Sequence, residues 1–341
     1  MATIQDVVRA SGVSVATVSR VLNDSPNVLP ATREKVLAAI RELDYHPNRL
    51  AKQFRTQRTN CVLVLLPRIG DSFYSEILKG IDTVAAEAGY HVFITNTGNS
   101  TELARFSYES LIQKQYDGII DFSACLPKEY MEEIAGQNPV VVACRYLSNV
   151  SVPNVTIDNM AASREMTEYM LNLGHQRIAY ISSNLELALY RSRLYGYREA
   201  LEARGIPVDE RIICAANPDI QGGYDAVIQL LRSGERFTAI VASGDTQAVG
   251  AIKALQDRSL RVPEDVAVCG FDDIELSALL SPTLTTIRQP RNLIGRQSME
   301  KLLGRISGKD EDLAEQIVLP YELVIRASSG KFRRLSATIV S

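Results

Sequence analysis

The chain has 341 residues, 46% of them hydrophobic and 23% charged, an ordinary globular balance that allows two or three domains. Its net charge of −3 excludes a protein that is basic throughout, yet the charge is uneven: residues 1–60 hold nine Lys and Arg against five Asp and Glu, and the remainder 28 against 35. A basic head on an acidic body suits a small nucleic-acid module joined to a domain that should not itself adhere to DNA. The N-terminus has no apolar signal core after a basic start, and no apolar run is long enough to span a membrane, so a cytoplasmic location is expected.

The first predicted elements are two short helices in TIQDVVRASGVSVATVSRVLN, residues 3–23, joined by a tight turn at Ser11-Gly12-Val13. Thr3 and Asp6 form a capping-box-like pair, with Asp in place of the usual Glu or Gln. Val7, Val8 and Ala10 are expected on the buried side of helix 1. Ser14 is a natural N-cap for helix 2. A third helix is predicted from Pro30, a residue suited to a first helical position, with Val36, Leu37, Ile40 and Leu43 closing a three-helix core. The second helix carries small and hydroxyl side chains and ends near a basic residue, which makes it thin enough to enter the major groove. Val15, Ala16 and Arg20 are expected at base edges, with Ser14, Thr17, Ser19 and Asn23 on phosphates. Val15 lies in the first turn and is free to face outwards.

HPNRLAKQFRTQRTN, residues 46–60, is basic and has no acidic residue. It reads either as a flexible linker or as a short helix, 48–55, that lies in the minor groove. In the second case Phe54 is an apolar wedge between base steps, with Ala51 and Arg55 beside it.

These segments, with ATREKVLAAIRELDYHPNRLAKQF after the first and VIRASSG near the C-terminus, resemble the lactose-repressor (LacI/GalR) family of bacterial transcription regulators over almost the whole chain. Within that family DSFYSEILKGI, YRSRLYGYREAL and TLTTIRQPRNLIG are most similar to the cytidine-repressor branch. The family's hinge wedge is usually leucine. Phe54 departs from this and leaves the preferred central step open.

From residue 61 onwards short apolar runs alternate with amphipathic stretches. Strands are predicted at 61–67, 90–95, 117–122, 140–144, 177–182, 237–243 and 265–271, and helices at 73–89 and 192–205. This alternation predicts parallel sheets covered by helices, and the length requires two of them. Ligands of such folds bind at the carboxyl ends of the strands, so two facing lobes would enclose one between them. The resemblance implies the same architecture, a type I periplasmic-binding-protein-like core whose lobes are joined by three crossovers. The domains expected are a helix-turn-helix head over 1–46, a hinge over 47–60, a two-lobed effector and dimerisation domain over 61–330, and a tail over 331–341.

No catalytic constellation is evident, and neither a cofactor nor a metal site is expected. The three histidines are not paired at ligand spacing, and neither a phosphate loop nor a nucleophile elbow is present. His175 is expected to satisfy a loop-to-strand turn. The five cysteines are widely spaced and read as buried free thiols. Adjacent Asp272 and Asp273 should point apart at a strand end, leaving Asp272 to accept a hydrogen bond from a ligand.

The resemblance implies further site residues. FYSE matches the segment whose aromatics touch the effector, giving Phe73 and Tyr74. Arg193 matches an arginine that clamps the ligand, Asp272 the carboxylate opposite, and Arg145 a loop lining the cleft. Phe73 could equally be core, and Arg193 a lobe-stabilising ion pair. Sugar-responsive members often carry Asn-Asp where this chain has Gly244-Asp245, which removes an amide suited to sugar hydroxyls. A nucleoside, a sugar or a phosphorylated metabolite all remain open as effector. The expected function is a non-enzymatic repressor, a homodimer on pseudo-palindromic operator DNA, controlled by that effector. The rivals are a solute-binding protein, which would need a signal peptide and no DNA-binding head, and a sugar or nucleoside enzyme, which would need a placed base or nucleophile in the cleft.

Overall fold

The computed structural model describes residues 2–22, 25–46, 58–145, 151–183, 185, 187–310 and 312–330. It divides into two compact units, 1–59 and 60–341.

In the first unit α1 (Ile4–Ser11), α2 (Val15–Leu22) and α3 (Pro30–Glu42) close a small core on Val7, Val18, Val21, Val36 and Ala39. The capping box of α1 is complete. The Thr3 backbone N–H and hydroxyl both donate to the Asp6 carboxylate, at 2.8 and 2.7 Å, and Thr3 in turn caps the Asp6 N–H. Gly12 ends the helix with φ +67°, a left-handed conformation that disfavours a side chain. The Ser14 hydroxyl accepts from the Thr17 N–H at 3.2 Å and so caps α2. Two core expectations need correction. Ala10 is exposed, and Ser11 takes its place, donating its hydroxyl to the Val7 carbonyl at 2.6 Å. Leu37 is 38% exposed and Ala39 is buried instead. The inward stripe of α3 runs Val36, Ala39, Ile40, Leu43, and Leu37 lies about 100° from Val36 around the helix.

The second unit has two lobes. The first is a six-stranded parallel sheet in the order β11-β5-β4-β3-β1-β2, formed by β1 (Cys61–Leu66), β2 (His91–Asn96), β3 (Gly118–Asp121), β4 (Val140–Ala143), β5 (Asn154–Ile157) and β11 (Gln316–Leu319). CVLVLL in β1 is apolar at every position because both faces are covered, whereas the edge strand β2 is largely exposed. Its helices are α4 (Phe73–Glu87), α5 (Thr101–Ile112), α6 (Lys128–Gln137) and α11 (Arg291–Ile306).

The second lobe orders β7 (Ile213–Ala215), β6 (Ile178–Ser182), β8 (Ala239–Ala242) and β9 (Ala267–Cys269) in a parallel sheet. A parallel bridge from Cys269 to Thr285 extends it towards β10 (Thr286–Arg288), which pairs antiparallel with β12 (Glu322–Val324). Its helices are α7 (Asn159–Asn172), α8 (Ala188–Glu202), α9 (Ile220–Arg232) and α10 (Asp245–Asp257). The chain passes between lobes three times, at Asp158, at Gln289-Pro290 and at Pro320-Tyr321. The seven predicted strands form, six of them trimmed at their ends and β2 shifted one residue later. The missed strands β5, β7, β10, β11 and β12 are three or four residues long, too short to show a period. Predicted helix 192–205 starts a turn earlier and ends at Glu202, before Gly205 turns the chain at φ +67°.

His175 donates or accepts at Thr238 Oγ1, 2.9 Å from its Nδ1, and so ties the turn before β6 to the start of β8. None of the five cysteines is in a disulfide, but Cys61 and Cys125 are only half-buried.

Candidate nucleic-acid interface and effector cleft

Helix α2 buries Val18 and Val21 and turns its other face outwards. Ser14, Val15, Ala16 and Arg20 are exposed, Val15 by 41%, and Thr17 and Ser19 are half-buried. These six of the ten residues expected to touch DNA therefore share one side or rim of one short helix and its N-cap. Asn23 and the hinge residues Ala51, Phe54 and Arg55, with the tail from 331, lie outside the described residues.

In the second unit the carboxyl ends of the strands from both lobes face each other across a void of about 50 Å³. All five residues expected at an effector line it: Phe73 and Tyr74 at the start of α4, Arg145 after β4, Arg193 on α8 and Asp272 after β9. Parallel strands place their following loops on one side of a sheet, and two such sheets face each other here. Phe73 serves both readings, since it lines the void and belongs to the core below it. Tyr74 meets Phe73 edge-on at 5.2 Å and Phe122 at 5.6 Å, so its ring is held by aromatic contacts on two sides.

Arg193 is 3% exposed and fully engaged. Its Nε donates to Asn159 Oδ1 at 2.9 Å, Nη1 to the Ser243 carbonyl at 2.5 Å and Nη2 to Asp272 Oδ1 at 3.3 Å, while the guanidinium lies 3.5 Å over the Phe271 ring. Asp272 also accepts from Gln289 Nε2 at 2.7 Å. Burial pushes its carboxyl up to about 6 despite the opposing pull of Arg193. Positive φ angles of 115° at Asp272 and 48° at Asp273 turn the neighbours apart. Asp272 faces the void, and Asp273 pairs with Arg288 and Arg326 at 2.7 Å each.

Asp245 has a different place from its neighbour Gly244. Gly244 lines the void, but the Asp245 carboxylate is fully buried away from it, accepting from Thr286 Oγ1 at 2.6 Å, Ser277 Oγ at 2.7 Å and the Ile274 N–H at 2.9 Å. Burial, followed by the nearby Asp272, pushes it up to about 7.

Arg68, Asp71, Gln247 and Gln289 also reach the void and escaped the sequence reading. Each is a polar residue at or just beyond the end of an apolar strand or the start of a helix. That is a weak signal, shared with many surface loops. A larger cavity of about 1070 Å³ lies outside, lined by Ile69, Ile220, Leu276 and Leu279, and shares Arg68, Asp71, Pro218 and Thr246 with the inner void. It is the vestibule of the same cleft, since the ion pairs converge in the inner space.

A three-helix head with an outward reading helix, followed by two lobes enclosing a charged cleft, defines a ligand-controlled DNA-binding regulator. The family models agree with that division: bacterial regulatory proteins of the lacI family match residues 3–48, and the periplasmic binding proteins and sugar binding domain of the LacI family match residues 59–327. The chain belongs to the LacI family of bacterial transcription regulators. It is 36% identical over 329 residues to catabolite control protein A of Priestia megaterium, covering 96% of this chain and 99% of that protein. Identity to the transcriptional repressor CytR of Escherichia coli is also 36%, covering 96% of each. The structure superposes on the lac repressor dimer bound to operator and the anti-inducer ONPF with a TM-score of 0.86 at 28% identity, covering 96% of this chain and 99% of that one.

Proposed function

We propose that the chain is a homodimeric repressor of a pseudo-palindromic operator, released or recruited by a small hydrogen-bonding effector held at Arg193 and Asp272. The observation that carries this reading is the clamp itself, a buried arginine and carboxylate from separate elements that converge on a void between two lobes. Val15, Ala16 and Arg20 read base edges in the major groove, Ser14, Thr17, Ser19 and Asn23 hold phosphates, and Ala51, Phe54 and Arg55 enter the minor groove at the dimer axis. The lac repressor, a dimer on its operator, supports the two-fold arrangement.

A void of about 50 Å³ is far below the several hundred that a nucleoside or sugar needs, so a ligand either extends from it into the vestibule or parts the lobes, and in both cases biases their relative angle. Nucleosides, sugars and phosphorylated metabolites are the candidate classes, the first of them on the resemblance to the cytidine-repressor branch. The cleft is a binding site without turnover. Cys144, the thiol among the side chains at the void, is held protonated because burial raises it to about 12. A repressor meets its operator in the cytoplasm, and no described helix is long and apolar enough to cross a membrane.

Selection of bound sites from random duplex DNA with the full-length protein, with and without pooled nucleosides, sugars and sugar phosphates, tests the reading. An enriched palindrome whose recovery changes with the pool is expected. Absence of any enriched sequence under every condition overturns it.

A further inference from the structure

Five charged side chains line the inner void, and they do not balance. Arg68 pairs with Asp71 at 2.7 Å and Arg193 with Asp272 at 3.3 Å, which leaves Arg145. Arg145 is 5% exposed and makes no ion pair among the described residues. Its Nε donates to the Phe122 carbonyl at 3.0 Å, but its Nη1 is buried at the void without a hydrogen-bond partner. A guanidinium cannot shed its proton, and a buried donor left unsatisfied is costly. The acidic neighbours supply no compensating charge. Burial raises the Cys144 thiol to about 12 and the Tyr74 hydroxyl well above its ordinary range, so both stay neutral.

We propose that the effector is an anion whose small oxyanion group, a carboxylate or a phosphate, docks on Arg145; this rests on the reading of the cleft as the effector site. The void has room for a group of that size and not for a ring system. The remainder of the molecule extends towards the vestibule, past Pro218 and Thr246, which both cavities share. The anion restores charge neutrality to the cleft. It also satisfies a donor that the protein itself leaves empty, so it favours the state in which Arg145 is enclosed.

The test is thermal unfolding of the full-length protein at fixed ionic strength, titrated separately with sodium phosphate and sodium acetate. The paired probes ribose and ribose 5-phosphate, and glucose and gluconate, follow. Saturable stabilisation by phosphate or by acetate is expected, and which of the two acts identifies the oxyanion. The charged member of a pair should act at concentrations at least tenfold below its neutral partner. Arg145→Gln should abolish both effects, and Arg145→Lys, which keeps the charge and guards against a folding defect, should retain part of them. No saturable effect of either oxyanion on the parent, or a preference that survives Arg145→Gln, overturns the proposal. Neutral ligands whose binding depends on Asp272 but not on Arg145 would overturn the anion and leave the effector cleft standing. Oxyanion binding that depends on Arg145 but leaves operator affinity unmoved at saturation would do the reverse.

Discussion

At the scale of single residues the cleft is a set of buried charges whose neighbours decide their state. Arg193 holds Asn159, Ser243 and Asp272 together, so its loss strands a carboxylate out of water. Breaking a buried pair from one side costs about 3 kcal/mol or more. Arg193→Ala should therefore lower the unfolding free energy by about that much at pH 8. The loss should be smaller at pH 5, where Asp272, already raised to about 6, takes up a proton. Urea titrations at the two pH values read the difference, and equal losses at both would refute the electrostatic account. Asp245 gives a second pH signature. Its folded carboxyl titrates at about 7 and its ordinary value is 3.8, so between those values the folded chain binds a proton that the unfolded chain has released. Stability from this group is greatest below pH 4 and falls as the pH rises to 7. Asp245→Asn removes that slope. The stability of the variant relative to the parent should rise from pH 4.5 to 7.5, and a flat difference would mean that the group is not held neutral.

At the scale of elements, the helices that carry the site are locked by close backbone contact. A Cβ at Gly295 on α11 would overlap the Ile77 carbonyl of α4, and a Cβ at Gly80 on α4 would overlap the Asn292 carbonyl of α11. Gly223 and Gly250 bring α9 and α10 together in the same way, against Gln247 and Ile220. Such pairs tolerate no added methyl without separating. Gly295→Ala should cost about 1–3 kcal/mol and, by displacing the start of α4 with Phe73 and Tyr74, weaken effector binding as well. Chemical denaturation with a parallel ligand titration checks both effects. An alanine variant of parental stability would show that the helices can part freely. In the head, the capping box at Thr3 and Asp6 and the left-handed turn at Gly12 set the start and stop of α1 without help from distant residues.

At the scale of the whole molecule, base reading and effector binding are carried by separate units, and this separation makes them independently breakable. Arg20→Ala should relax base preference at one position of each half-site and cost about 1–3 kcal/mol of operator affinity. Ser14→Ala, which removes the proposed phosphate contact and also the cap of α2, should weaken all sequences alike. Both variants should bind effector as the parent does. Site selection and ligand titration on each variant read the two functions, and an unchanged sequence preference for Arg20→Ala would remove that residue from the base-reading set.

Much of this architecture is legible in the amino-acid sequence. Capping residues, the Gly12 turn, apolar runs and helical stripes act within a few neighbouring positions, so they can be read along the chain. The class of regulator follows from them and from the family's motifs. What tertiary structure alone decided is which charges meet. Arg145 and Phe122, Arg193 and Asp272, and Gln289 and Asp272 come together across strands and crossovers far apart in sequence. The fate of Asp245 is of the same kind. It sits beside Gly244 in the chain, but its surroundings come from the 274–277 turn and β10, which turn it away from the void. Backbone preference is local and survives in a linear reading. The field at a buried charge is a sum over neighbours that only the folded chain assembles.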